Sequence, residues 1–109
     1  MTRGEVWTQA GGPDYAGKPR PALIVQSDLL SQTESIVTCL FTTHVANEIP
    51  SRVAFAATAA NGLYEDSDLM ADKVMAIPRR KLGRRLGIVE PADMARVEQA
   101  LLLVLGFEA

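Results

Sequence analysis

Short apolar segments separated by breaker residues fill most of this chain, and a helical pattern comes only at its end. Four such segments, rich in β-branched or aromatic residues, lie in the first half: Glu5–Gln9, Ala22–Gln26, Ser35–Thr43 and Arg52–Phe55. The loops between them hold no helical crossover, which disfavours a parallel α/β sheet. We therefore predict a small, strongly curved sheet or partly open barrel.

The second half continues with strand-like sequence up to a short basic run. Asp68–Met70 and Val74–Ile77 predict one further strand, or a bulged pair around Ala71-Asp72, and Pro78 ends it. Residues 79–86 predict a single helical turn closed by glycine, and Gly87–Val89 predicts a final short strand.

A C-terminal amphipathic helix follows. Pro91 suits a first helical turn, and Asp93 suits the positive amino end of a helix. Apolar side chains recur on one face at helical spacing: Met94, Val97, Leu101, Val104 and Leu105. Leu102 and Leu103 widen this stripe, so we predict that part of the helix packs against another chain.

Size and composition limit the class of protein. With 109 residues and 48% apolar side chains, the chain predicts one domain, residues 1–109, that buries about 65% of its unfolded surface. The longest apolar run, Leu101–Leu105, is too short to cross a bilayer and no signal-peptide core precedes Glu5, so we expect a cytoplasmic protein without a membrane contact. Cys39 lies in an apolar stretch and is predicted to be a plain core thiol.

The passage from Gly11 to Asp28 brings charged side chains to the start of a strand. Its glycines and prolines make the backbone before Ala22 a loop. Arg20 lies where the loop becomes sheet, between two prolines that lower the entropy lost when it is ordered. Its planar donors suit a phosphate or a carboxylate, which predicts anion recognition. A surface ion pair with Asp14 or Asp28 is the alternative.

Polar residues at strand ends and in loops form a constellation suited to phosphodiester chemistry: Asp14, Arg20, Thr42, Thr43 and His44. RNA cleavage without a metal requires deprotonation of a 2′-hydroxyl, stabilisation of charge on a phosphorane, and protonation of the leaving 5′-oxygen. Arginine supplies the second, a threonine hydroxyl donates to a phosphate oxygen, and Asp14 acts as base or orients Arg20. His44 is either a site residue or an ordinary, partly buried histidine.

Strong metal and cofactor motifs are absent from the sequence, and we expect neither a metal nor a cofactor. Asp66, Asp68 and Asp72 either imitate a divalent-metal cluster or are ordinary surface acids. The net charge of −2 argues against a general nucleic-acid coat, although five of the eleven basic residues fall within Arg79–Arg85. That run is either a solvated turn or a phosphate-binding surface.

The order of residues along nearly the whole chain resembles the MazF/PemK toxins of bacterial toxin–antitoxin pairs. Five stretches carry the resemblance: Arg3–Trp7 (RGEVW), Gly17–Val25 (GKPRPALIV), Leu40–Thr43 (LFTT), Asn61–Leu63 (NGL), and Ser67–Ile77 followed by Leu86-Gly87. An Arg-Gly-acid-apolar-aromatic start, an Arg-Pro turn into an apolar strand and an apolar-Thr-Ser/Thr strand end, in that order, make the match specific.

The resemblance implies a mainly β fold with helices (α+β): an SH3-like barrel of the CcdB/PemK type with a C-terminal amphipathic helix, forming a homodimer. It implies a sequence-selective, metal-independent endoribonuclease that cleaves single-stranded mRNA to 2′,3′-cyclic phosphate and 5′-hydroxyl ends. Such an enzyme inhibits translation and growth, and a cognate antitoxin neutralises it.

The resemblance also assigns roles to residues. Arg20 and Thr42 match the catalytic pair of the family, and Asp14 loosely matches an auxiliary acid. RNA contact is expected of four further residues: Lys18, Thr43, His44 and Asp72. Lys18-Pro19 lengthens the turn that aims Arg20 by one residue, and Met70 stands where some members carry a catalytic arginine, so that mechanism does not transfer to Asp72.

Two other functions stay open. One is a CcdB-like gyrase poison on the same fold, although those relatives end in an aromatic-Gly-aliphatic tail and this chain ends Gly106-Phe107-Glu108-Ala109. The other is a barrel that binds RNA or a peptide without catalysing a reaction.

Overall fold

The computed structural model describes residues 1–11, 18–46 and 48–107. Its strands are β1 (Glu5–Gln9), β2 (Arg20–Ile24), β3 (Ser35–Thr42), β4 (Arg52–Phe55), β5 (Ser67–Met70), β6 (Met75–Pro78) and β7 (Leu82–Ile88), and its α-helix is α1 (Pro91–Leu105). Short 3-10 turns cover Asp28–Leu30, Ala71–Lys73 and Arg79–Lys81. No helix in the described part of the chain is long and apolar enough to span a membrane.

The strands form one antiparallel sheet in the order β4-β5-β3-β2-β1-β7, and β6 pairs with β3 alongside β5. Among the described residues, this path does not close between β4 and β7, so the sheet is barrel-like but open. The prediction of a mainly β fold with a curved sheet and a C-terminal helix is confirmed.

The 3-10 turn Ala71–Lys73 separates β5 from β6, and both strands pair with β3. Phe41 of β3 faces Leu69, whereas Thr38 faces Met75 in a shifted register. Of the two alternatives predicted here, the structure is nearer to the interrupted pair around Ala71-Asp72 than to one continuous strand, with a 3-10 turn in place of a simple bulge.

The helical turn predicted over residues 79–86 is wrong in its extent. It stops at Lys81, and residues 82–88 form β7 because they pair with β1, with Gln9 opposite Leu82 and Trp7 opposite Arg85. Backbone partners on β1 therefore decide the conformation of a polar segment that shows little strand pattern of its own.

The sheet buries both faces of β3. Val37, Cys39 and Phe41 join the main core beneath α1, where the Phe41 and Phe55 rings meet edge to face at 5.3 Å. Leu40 and Ile36 point to the second face, because successive strand residues alternate. This second face also carries the start of β2.

Helix α1 closes the main core. Pro91 begins it, Met94, Val97 and Ala100 are its buried residues, and Gly106 ends it in the left-handed region at φ 82°. The predicted position of the C-terminal helix is confirmed. Of its predicted apolar stripe, Met94 and Val97 are buried and Leu101 and Val104 pack against the core, whereas Leu105 is exposed.

Candidate active site

Arg20 and Thr42 lie at the same end of two neighbouring strands. In the β2–β3 ladder, Ala22 pairs with Leu40. Arg20 precedes Ala22 by two residues and Thr42 follows Leu40 by two, so in antiparallel strands both side chains extend beyond that pair on one face of the sheet. Both residues are partly buried. The fold thus brings together the arginine and the threonine that the resemblance pairs.

A groove of about 230 Å³ lies beside Arg20. Its lining combines polar and basic residues at the strand ends with an apolar floor: Gln9, Ala10, Gly11, Arg20, Leu40, Met75, Ile77, Pro78 and Lys81. Gln9 is the cross-strand partner of Arg20 on β1. The groove is therefore formed where β1, β2 and β6 meet the turn before β7.

Thr42 is held by the turn that follows β3. Its Oγ1 accepts a hydrogen bond from the His44 backbone N–H at 3.2 Å. A hydroxyl that accepts in this way still has its own proton to donate. The Thr42 side chain can therefore donate to an anion at the strand end, which is what binding a phosphate oxygen requires.

Asp68 anchors the loop after Thr42 from the opposite strand. It faces Thr42 in the β3–β5 ladder and is 2% exposed, and its Oδ2 accepts from the Ala46 N–H at 2.8 Å. The loop between Thr42 and Ala46 is thus fixed at both ends, while the side chains of Thr43 and His44 are exposed.

The remaining predicted site residues lie in different surroundings. Lys18 is exposed just before β2. Asp72 lies in the 3-10 turn after β5, where its Oδ1 accepts from Arg52 Nε at 3.1 Å. Asp14 lies outside the described residues. The contacts predicted between these residues and RNA remain predictions.

Asp28 is the other proposed ion-pair partner of Arg20. Arg20 begins β2, whereas Asp28 follows the end of that strand at Ile24. There its Oδ1 accepts from the Arg3 backbone N–H at 2.9 Å.

A buried polar pair lies next to Arg20, and the sequence analysis missed it. The Thr38 hydroxyl donates to Gln9 Oε1 at 2.8 Å, and the two residues are 0% and 4% exposed. Gln9 Nε2 reaches Met75 Sδ at 3.5 Å. A glutamine at a strand end looks like a surface residue in sequence. The one sign that Gln9 is buried is its spacing of two residues from Trp7, which places both side chains on the same face of β1.

The acidic residues considered as a metal cluster have separate partners. Asp66 accepts from the Ala57 N–H at 2.8 Å, Asp68 from Ala46 and Asp72 from Arg52. Within the described ranges, no three His, Cys, Asp or Glu side chains come together as a metal site.

Cys39 is fully buried. Burial, and then the nearby charge of Asp72, raises the pKa of its thiol to about 12. A thiol that stays protonated is a weak nucleophile, so the prediction of a plain core thiol is confirmed.

The chain is similar to known proteins of one family, both in sequence and in structure. The family model for the PemK-like, MazF-like toxin of type II toxin–antitoxin systems matches residues 2–105. The chain is 42% identical over 106 residues to "Probable endoribonuclease MazF" of Mycolicibacterium smegmatis, and the match covers 97% of each chain. It is 31% identical over 112 residues to "Endoribonuclease MazF9" of Mycobacterium tuberculosis, and the match covers 94% of each.

A solved structure is similar to this chain in fold. It is described as an "Endoribonuclease in complex with its cognate antitoxin from Mycobacterial species" and superposes with a TM-score of 0.83 at 28% identity. The superposition covers 100% of this chain and 98% of the other.

Proposed function

We propose that this chain, which belongs to the PemK-like, MazF-like toxin family of type II toxin–antitoxin systems, is an endoribonuclease toxin that a cognate antitoxin neutralises. The observation that carries the proposal is the placement of Arg20 and Thr42 at one end of β2 and β3, beside a groove with a basic rim. Its substrate is single-stranded mRNA, cleaved selectively by sequence and without a metal ion.

Arg20 is proposed to stabilise the transition state. The RNA 2′-oxygen attacks the adjacent phosphorus, the bond from phosphorus to the 5′-oxygen breaks, and negative charge builds on the equatorial oxygens. A guanidinium presents planar, permanently charged donors that suit two of these oxygens at once. The prolines on either side of Arg20 restrict its backbone before RNA binds.

Thr42 is proposed to hold the same phosphate. Its Oγ1 is oriented by the His44 N–H, which leaves the hydroxyl proton for a phosphate oxygen. Holding the phosphate at a fixed position favours in-line attack by the 2′-oxygen.

Two protons must move during this reaction. One leaves the 2′-hydroxyl and one reaches the 5′-oxygen, which gives a 2′,3′-cyclic phosphate and a 5′-hydroxyl. Asp14 is proposed as the base or as the group that orients Arg20. Lys18, Thr43, His44 and Asp72 are proposed RNA contacts, and the exposure of all four side chains makes them accessible to a strand.

The partners follow from the same family. A solved relative is described in complex with its cognate antitoxin, and we extend that partnership to this chain. We also propose a cytoplasmic homodimer, because the mRNA substrate is cytoplasmic and α1 leaves Leu103 and Leu105 more than half exposed, at 56% and 58%.

Mapping of RNA ends tests the function. Purified protein is incubated with total RNA in excess chelator, and the fragments are labelled at 5′-hydroxyls without prior dephosphorylation. We expect one short recognition sequence at the cuts, 5′-hydroxyls on the downstream fragments and 2′,3′-cyclic phosphates on the upstream ones. Cleavage that requires Mg²⁺, or that leaves 5′-phosphates, would contradict the proposal.

A truncation separates this function from gyrase poisoning. Deletion of residues 107–109 removes an aromatic side chain that is 64% exposed after α1. An endoribonuclease keeps its toxicity after this deletion and loses it on substitution of Arg20. The opposite pattern would favour a gyrase poison.

A further inference from the structure

The basic run Arg79–Arg85 divides into two groups by what each side chain contacts. Three of its five basic side chains bind other residues of the protein: Arg79 to Thr33 at 2.6 Å, Arg84 to Tyr64 at 3.5 Å and Arg85 to Glu5 at 2.8 Å. Arg80 and Lys81 are exposed and have no side-chain hydrogen bond or ion pair with any residue that the structure describes. These two cations are the ones available to a ligand.

Lys81 is fixed next to Arg20 by the sheet. Its carbonyl oxygen accepts from the Ala10 backbone N–H at 2.8 Å, which holds it beside the end of β1. Gln9, the preceding residue, pairs with Arg20 on one side and with Leu82 on the other. Lys81 and Arg20 therefore line the same groove, on either side of β1.

Arg80 lies in a different place although it is adjacent in sequence. It lines a separate groove of about 480 Å³ together with Glu34, Ser35 and Ile77. The 3-10 turn Arg79–Lys81 directs successive side chains to different surfaces. The pair Lys81 and Arg80 thus has the same charge and similar exposure, but only Lys81 shares a groove with Arg20.

The groove suits a nucleotide of an RNA strand. Its floor consists of apolar side chains, Leu40, Met75, Ile77 and Pro78, which can contact a base or a sugar. Its rim carries two positive charges, and an ammonium group binds a phosphate as a point charge without the bidentate geometry of a guanidinium.

We propose that Lys81 is a substrate-binding residue that contacts an RNA phosphate adjacent to the one held by Arg20. This inference rests on the proposed function. Lys81 supplies affinity, whereas Arg20 acts on the reacting phosphate, so the two residues affect different kinetic parameters.

The test compares Lys81→Ala with Arg80→Ala on a single-stranded RNA oligonucleotide that contains the mapped cleavage site, in excess chelator. Lys81→Ala is expected to raise KM about tenfold and to leave kcat within about twofold, because it removes a contact made equally in the ground and transition states. Arg80→Ala is expected to change neither by more than about twofold. Lys81→Arg, which keeps the charge, is expected to restore most of the affinity.

Salt dependence gives a second measurement. The probe is the same oligonucleotide with a 2′-deoxy sugar at the cleavage site, which binds without being cut. Loss of one phosphate contact lowers the slope of log Kd against log salt concentration by about 0.7. We expect this change in Lys81→Ala and not in Arg80→Ala.

Two results would overturn the inference while leaving the proposed function intact. One is an equal effect of Lys81→Ala and Arg80→Ala on KM and on the salt slope, which would show a general charge effect. The other is unchanged RNA affinity in Lys81→Ala while the unsubstituted protein still cleaves. If the unsubstituted protein cuts no RNA, the proposed function fails first, and this inference fails with it.

Discussion

The hydroxyl of Thr38 donates to the side-chain oxygen of Gln9 across 2.8 Å, and both residues are almost completely buried. They lie on the second face of the sheet, directly beside Arg20, which pairs with Gln9 on β1. A buried hydrogen bond contributes modestly to stability, but removing one partner leaves the other buried without a hydrogen bond, which is strongly destabilising. This bond therefore fixes the side chain of Gln9, which lines the same groove as Arg20.

Substitution of Thr38 by valine is expected to destabilise the protein by about 1–3 kcal/mol, because it leaves Gln9 Oε1 buried without a donor. Adding Gln9→Met removes the unsatisfied oxygen and is expected to recover part of the loss. Urea denaturation at fixed protein concentration measures both effects. Thr38→Ser, which keeps the hydroxyl, is the matched control. Strict additivity of the two substitutions would contradict this coupling.

Glu5 is expected to make stability depend on pH in the acid range. Burial tends to raise the pKa of Glu5, but hydrogen bonds from the Thr2 N–H, Trp7 and Arg85 and the amino-terminal charge lower it to about 2. Because the folded pKa lies below the ordinary glutamate value of 4.5, the stabilisation is present above about pH 4.5 and is lost as pH falls towards 2.

Comparison of Glu5→Gln with the unsubstituted protein measures this contribution. The substitution is expected to lower the free energy of unfolding by only about 1–2 kcal/mol at pH 7, because solvent screens the half-exposed Arg85, and to flatten its decline between about pH 5 and pH 2. A decline of equal steepness in both proteins would contradict the role of Glu5.

Two glycines with similar backbone angles are expected to differ strongly when replaced by alanine. Gly62 has φ 72°, and a Cβ there would collide with the backbone carbonyl of Leu86. Gly106 has φ 82°, and nothing lies within 4 Å of the corresponding position. Gly106→Ala is expected to cost about 1 kcal/mol from its backbone angle alone, and Gly62→Ala about 3 kcal/mol or more. Equal midpoints of thermal unfolding would refute the close approach at Gly62.

Local sequence pattern correctly predicts those strands and helices whose own residues strongly favour the observed secondary structure. Glu5–Gln9 and Arg52–Phe55 are strands with the predicted bounds, and the strand sequence is interrupted around Ala71-Asp72, by a 3-10 turn. Helix α1 likewise shows its period and its end signals in the sequence. In these segments, residue pattern and tertiary pairing favour the same structure.

The prediction fails where long-range pairing overrides local signals. β2 is predicted over Ala22–Gln26 but spans Arg20–Ile24. The strand begins earlier than predicted because Thr8 of β1 pairs with Pro21, although proline has no N–H to donate to the sheet. The neighbourhood of Arg20 and Thr42 follows from the order of strands, so the sequence and the resemblance together predict it. The Thr38–Gln9 bond depends on how β2 pairs with both β1 and β3, and the groove position of Lys81 depends on how β1 pairs with β2 and β7. No local pattern encodes these pairings.

The role of Arg20 in stabilising the phosphorane is tested most directly by the cleavage rate of Arg20→Ala on single-stranded RNA in excess chelator. Arg84 is exposed, its guanidinium contacts the exposed Tyr64, and it does not line the groove, so Arg84→Ala is a control for loss of one positive charge. Arg20→Ala is expected to lower kcat/KM at least about a hundredfold in protein that circular dichroism shows to be folded, because a transition-state charge contact is lost. Undiminished cleavage by a folded Arg20→Ala protein would contradict the assignment of Arg20 as the residue that stabilises the phosphorane.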